Sequence, residues 1–257
     1  MTLVAILMGT LLAGIGSVWL AAALSFGVLA RYTQHMLSLA AGALMATAFM
    51  HLLPEAFESP VEPHDLFLVL LLGLVFFFLL DKAELWHHGH EHHHDHDHDP
   101  ADSHAPPAGS WAVLTGDSVH CFGDGILIAS AFMADMRLGA IAALAVLAHE
   151  VPHHMGDLMV LRAGASNRRM ALTKVSLAGA VTALGGMVGY WLVDQLHDYL
   201  PYFLVVASSS FVYVALADLI PQLQKRLALR QTIAQVVWLG LGIGLVTLVS
   251  RMAHGGH

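Results

Sequence analysis

His149, Glu150, His153, His154 and Asp157 fall within nine residues of one another, and His120, Cys121 and Asp124 form a second knot within five. Neutral imidazole and carboxylate together suit zinc and comparable first-row dications, and a thiol adds a softer donor. On helices, a spacing of four puts His120 and Asp124 on one face and repeats twice through His149, His153 and Asp157. His120, Asp124, His149 and His153 are therefore expected to hold one ion between two helices. A bridging imidazole would have to be deprotonated, so Asp124 is the better bridge to a second ion. Glu150 and Asp157 supply alternative or exit ligands. Cys121, taken alone, is more readily a small buried hydrophobe than a ligand. Asp117 and Asp157 also suit a vestibule or a helix cap. His51 and Asp218 are single polar groups that either line a path or pack structurally.

A different chemistry competes for one segment. His149-Glu150-Val-Pro152-His153 fits H-E-x-x-H, in which two histidines bind zinc and the glutamate activates water for peptide hydrolysis. An intramembrane zinc metalloprotease is thus the alternative to a transport site. Pro152 stands against it, because a proline between the ligands disturbs the preceding turn and frees a carbonyl. The second knot around His120 and Asp124 also has no part in that reaction.

The elements that must carry these groups are membrane helices. The chain of 257 residues is 57% hydrophobic and 12% charged, where a soluble domain is about a quarter charged. Its apolar residues form blocks long enough to cross a bilayer as helices, near 3–29, 36–57, 66–86, 111–134, 138–161, 172–195, 201–223 and 231–251. The expected fold is an all-α membrane protein of about eight transmembrane helices. The first block has no basic n-region and exceeds a signal-peptide core, so it reads as a span. Ionisable residues within spans cost roughly 2.5–3.5 kcal/mol each on insertion scales, and they mark function by default. Here they gather in the fourth and fifth spans, which a short connection should make adjacent and antiparallel.

With an outside N-terminus, Arg31, Lys82, Arg162, Arg168, Arg169, Lys174, Lys225, Arg226 and Arg230 fall inside, and Arg137 and Arg251 fall outside. Positively charged loops stay in the cytosol, so both termini are expected outside. The single cysteine excludes an intrachain disulfide, and no phosphate-binding loop implies a nucleotide. The net charge of −8 comes largely from one loop and does not point to nucleic acid.

The organisation is spans 1–3 over 1–86, a histidine-rich loop over 87–110, and spans 4–8 over 111–257, together one membrane domain. The loop opens HHGHEHHHDHDHDPADSH and holds His87, His88, His90, His92, His93, His94, His96, His98 and His104. It is too polar for a core, is expected on the cytoplasmic side, and can chelate metal. His51-Leu-Leu-Pro54 closes the second span and Asp218-Leu-Ile-Pro221 the seventh. Spans two and seven would run in opposite directions, as in an inverted repeat around the central helices 4 and 5.

His149-Glu150-Val-Pro152-His153-His154-Met-Gly156-Asp157 resembles the fifth-helix HExPHExGD signature of the ZIP family (Zrt- and Irt-like metal transporters). His120-Cys121-Phe-Gly123-Asp124-Gly125 resembles that family's fourth-helix HNxxDG signature, with Cys121 in place of Asn. His154 stands where the fifth-helix signature has Glu, and Thr182 is what the sixth span offers where some members carry a carboxylate. The resemblance covers essentially the whole chain. It implies uptake of Zn2+, or of Fe2+, Mn2+ or Cd2+, toward the cytosol, with the metal as transported substrate and no catalytic cofactor. It implies an integral protein of the cell inner (plasma) membrane, with the lipid bilayer and divalent ions as partners and a homodimer left open.

Overall fold

The computed structural model describes residues 1–24, 33–89, 109–164, 168–223 and 229–254. The histidine-rich stretch from 90 to 108 lies outside them. Among the described residues there is no strand, and eight long helical rods account for nearly everything. They are α1 (Thr2–Leu24) and α2 (Gln34–Phe57), α3 (Pro63–Gly89), α4 (Gly109–Ala134), α5 (Met136–Gly164) and α6 (Arg168–Gln195). The seventh, α7, is Leu200–Tyr213 continued through Val214–Leu219 into Ile220–Leu223, and α8 is Leu229–His254. Each rod coincides, within a few residues, with one of the apolar blocks.

Six of the rods, all but α4 and α5, are long and apolar enough to cross a membrane. Only 11% of the apolar stretch of α3 and of α8 is buried inside the protein. Phe67, Leu71, Phe76, Leu79, Val236, Leu241 and Leu245 point outward from these two helices. A rod this apolar with so little of its surface covered by protein needs a hydrocarbon surround. The two rods below that apolarity carry the His, Asp and Glu knots, and they are wrapped by the others: α4 packs on α5, α6 and α7, and α5 on α1 and α2.

α4 and α5 form a hairpin broken at a single residue, Asp135. Its carboxylate Oδ1 accepts the backbone N–H groups of Arg137 (2.8 Å) and Leu138 (3.1 Å), capping donors that the new helix leaves unpaired. This tight joint keeps the two helices side by side. α4 also lies against α6 at backbone distance. A Cβ on Gly125 would collide with the carbonyl of Thr182, and one on Gly185 with the carbonyl of Phe122.

Two prolines leave matching imprints. α2 widens into a π-turn over Ala48–Leu52 just before Pro54, and α7 does so over Val214–Leu219 just before Pro221. Proline removes an N–H and its ring crowds the carbonyl four residues back, so an extra residue in the turn relieves both. The helix contacts carry the same symmetry. Exchanging α1 with α6, α2 with α7, α3 with α8 and α4 with α5 turns the α4–α6 contact into α5–α1. It also turns α2–α8 into α7–α3 and α2–α5 into α7–α4, and all of these contacts are present. These paired contacts are those that a repeat about the central pair would produce.

Pro152 behaves otherwise. α5 continues as an α-helix across it, so the disturbance expected of that proline is not a break.

Candidate metal centre

Midway along α4 and α5 two groups of side chains converge. In the first, one atom each from His120, Asp124, His149 and Glu150 lies within 4.8 Å of all the others. His149 Nε2 is 3.2 Å from Asp124 Oδ2 and 3.2 Å from Glu150 Oε1. His120 Nε2 is 3.3 Å from Glu150 Oε1 and 3.3 Å from His149 Nε2. Asp124, His149 and Glu150 are at most 2% exposed, whereas the side chain of His120 is 27% exposed. Asp124 Oδ2 and Glu150 Oε1 are buried against these imidazole nitrogens. Four side chains from two helices thus converge on one small region. His149 is steadied from behind, its Nδ1 3.4 Å from the carbonyl of Ala145. Such a backbone contact leaves Nε2 free to ligate.

The second group is Asp117, Cys121, Glu150 and His154, all four buried, again with one ligand atom each within 4.8 Å of the others. Glu150 belongs to both groups. Its Oε1 faces His120 and His149, while its Oε2 lies 2.9 Å from His154 Nε2. The four-residue spacing recurs here, pairing Asp117 with Cys121 on α4 and Glu150 with His154 on α5.

Several expectations change place. Glu150, not His153, completes the set with His120, Asp124 and His149. His153 instead stacks its ring on His120, with centroids 5.4 Å apart, and its Nδ1 lies 3.5 Å from Asp117 Oδ1. The residue shared by the two groups is Glu150 rather than Asp124. Asp117 is buried inside the second group. Cys121 is buried but sits between carboxylates, 3.7 Å from Asp117 Oδ1 and 3.9 Å from Glu150 Oε2. His51 and Asp218 fall within the π-turns of α2 and α7. The side chains of Asp157 and Asp218 lie outside the described ones.

A mixed imidazole–carboxylate set of this kind fits a tetrahedral or slightly larger first-row dication. Its carboxylates would offset the charge of a dication bound there.

The sequence pattern of the ZIP Zinc transporter family matches residues 1–106 and 82–250. Zinc transporter foi of Drosophila melanogaster is 31% identical over 173 residues, which are 67% of this chain and 24% of that protein. Zinc transporter ZIP13 of Pongo abelii is 26% identical over 271 residues, covering 95% of this chain and 77% of that protein. Human zinc transporter ZIP4 is 29% identical over 259 residues, 77% of this chain and 40% of its own length. The chain thus spans less than half of foi and of ZIP4, and about three quarters of ZIP13. With both halves of the chain matched and buried ligand groups on α4 and α5, the chain belongs to the ZIP zinc transporter family.

Proposed function

We propose that this protein carries a divalent transition metal, zinc foremost, across the bilayer toward the cytosol through the ligand groups between α4 and α5. The observation that carries the reading is the convergence of His120, Asp124, His149 and Glu150 within 4.8 Å at mid-helix. Burying such groups in a membrane is costly, and a passing dication is a partner that offsets the cost. Metal enters from the outer face past His51, exchanges water for the first group, and passes through the second. It leaves past Asp218 toward the histidine-rich loop, which acts as a cytosolic metal sink. Each position must bind weakly enough to release. Both termini then face outward and the loop faces the cytosol, in the plasma membrane.

The hydrolytic alternative asks His149 and His153 to share one zinc while Glu150 stays free to activate water. Glu150 instead lies among the ligands of both groups, and His153 turns toward His120 and Asp117. Membership of a transporter family weighs the same way. The test is flux in proteoliposomes of the purified chain with Zn2+, Cd2+, Fe2+ and Mn2+ in turn. Zinc flux above protein-free vesicles supports the reading, and no flux of any of the four overturns it.

A further inference from the structure

Cys121 is fully buried, yet its neighbours are not those of a packing residue. The sulfur faces carboxylate oxygens of Asp117 and Glu150 at 3.7 and 3.9 Å, and the side chain of Thr182 from α6 reaches it as well. A small hydrophobe gains nothing from a polar wall of this kind. Asp117 is 2% exposed and its Oδ2 has no hydrogen-bond partner. His154 is fully buried, with Nε2 on Glu150 Oε2 at 2.9 Å. The ion pairs described here join the carboxylates only to histidines, with no lysine or arginine among them. Two buried carboxylates need a counter-charge, which either protonated histidines or a bound dication would supply.

We propose that Cys121 makes the Asp117–Cys121–Glu150–His154 group a thiolate metal position that selects thiophilic dications, Zn2+ and Cd2+, over Mn2+. One sulfur, one imidazole nitrogen and two carboxylate oxygens form the four-donor set that zinc accepts tetrahedrally. Manganese favours carboxylate and water oxygens in six-fold geometry and gains little from sulfur. On binding, the thiol proton leaves to solvent and the sulfur ligates as thiolate, with no change of oxidation state. The first group lacks sulfur, so the second is where the chain sorts metals. This deepens the transport reading by naming a substrate class, and its test reads binding, so the two ideas can fail separately.

Cys121 is the one cysteine of the chain, so any thiolate-to-metal charge-transfer absorption belongs to it. Titrating the purified, detergent-solubilised full chain with Cd2+ should raise an ultraviolet thiolate–cadmium band whose final height corresponds to one sulfur-bound ion per chain. A tenfold excess of Mn2+ should leave that band in place. Cys121→Ser should abolish the band and weaken one Cd2+ position by about tenfold or more, while Mn2+ affinity changes less than about threefold. Asp117→Asn, which keeps the sulfur, should shift the band to higher Cd2+ concentration. Absence of the band in the unaltered protein at saturating Cd2+, or its loss to Mn2+ competition, overturns the proposal whether or not the variants fold. An equal loss of Cd2+ and Mn2+ affinity in Cys121→Ser overturns it too.

Discussion

Replacing Glu150 by Gln keeps the shape of the side chain and removes its charge, and the geometry dictates an uneven result. Oε1 faces His120 and His149 at 3.3 and 3.2 Å, and Oε2 faces His154 at 2.9 Å. An amide has one acceptor oxygen and one NH2 group, and the NH2 is a donor only. Whichever way it turns, one ligand group keeps a neutral oxygen and the other is given N–H groups that cannot ligate a cation. The favoured group should lose about tenfold in zinc affinity. The other, short of a ligand, should lose about 100-fold or more, on the order of 3 kcal/mol. Calorimetric zinc titration of detergent-solubilised protein, with equilibrium dialysis for stoichiometry, separates the two. With residues 90–104 deleted from both, we expect two zinc equivalents in the chain that keeps Glu150 and one of reduced affinity in Glu150→Gln. Two undiminished sites in the variant would refute the placement of Glu150 between the groups.

Other consequences follow from packing and topology. Gly125 has the backbone of α6 against it, whereas a Cβ on Gly123 would meet nothing within 4 Å. Gly125→Ala should therefore lower the thermal midpoint of the solubilised protein and cut zinc binding, while Gly123→Ala should leave both unchanged or gain up to about 1 kcal/mol from helix propensity. Cysteines introduced singly at Glu62 and at Ser103 in a Cys121→Ser background should react with impermeant reagents from opposite sides of sealed vesicles. Labelling from the same side would break the eight-span topology. Deleting 90–104 should preserve zinc flux and lower metal binding on the cytosolic side. Loss of flux in folded protein would make that loop part of the path.

The spans were legible because apolar length is a property of the sequence alone, and each of the eight blocks became a rod. The π-turns before Pro54 and Pro221 were not, since how a helix absorbs a proline depends on what packs beside it. Pro152, in the same kind of sequence setting, stays in an unbroken helix. That His, Asp and Glu side chains gather on α4 and α5 was legible, and how they group was not. A spacing of four selects residues on one face of α5 but cannot say which way that face looks. His149 and Glu150 are neighbours about 100° apart on a helix, and α4 lies where both can reach it, so His153 is displaced from the first group. The same spacing does link Asp117 to Cys121 and Glu150 to His154, and with the phase of α5 known it would have revealed the second group. Gly125 adds a structural lesson: the glycine after Asp124 in the fourth-helix signature is where α6 approaches.

The central claim is that the buried groups on α4 and α5 carry metal through the membrane. Asp124 tests it most directly, because it is the carboxylate that α4 gives the first group, 3.2 Å from His149 Nε2 and 2% exposed. The decisive measurement is the initial rate of zinc entry into proteoliposomes loaded with a zinc-sensitive dye. It compares the unaltered chain with Asp124→Ala at equal reconstituted amounts and with matched thermal unfolding. The account predicts saturable entry for the unaltered chain and a rate near that of empty vesicles for Asp124→Ala. Equal rates for the two proteins would contradict it.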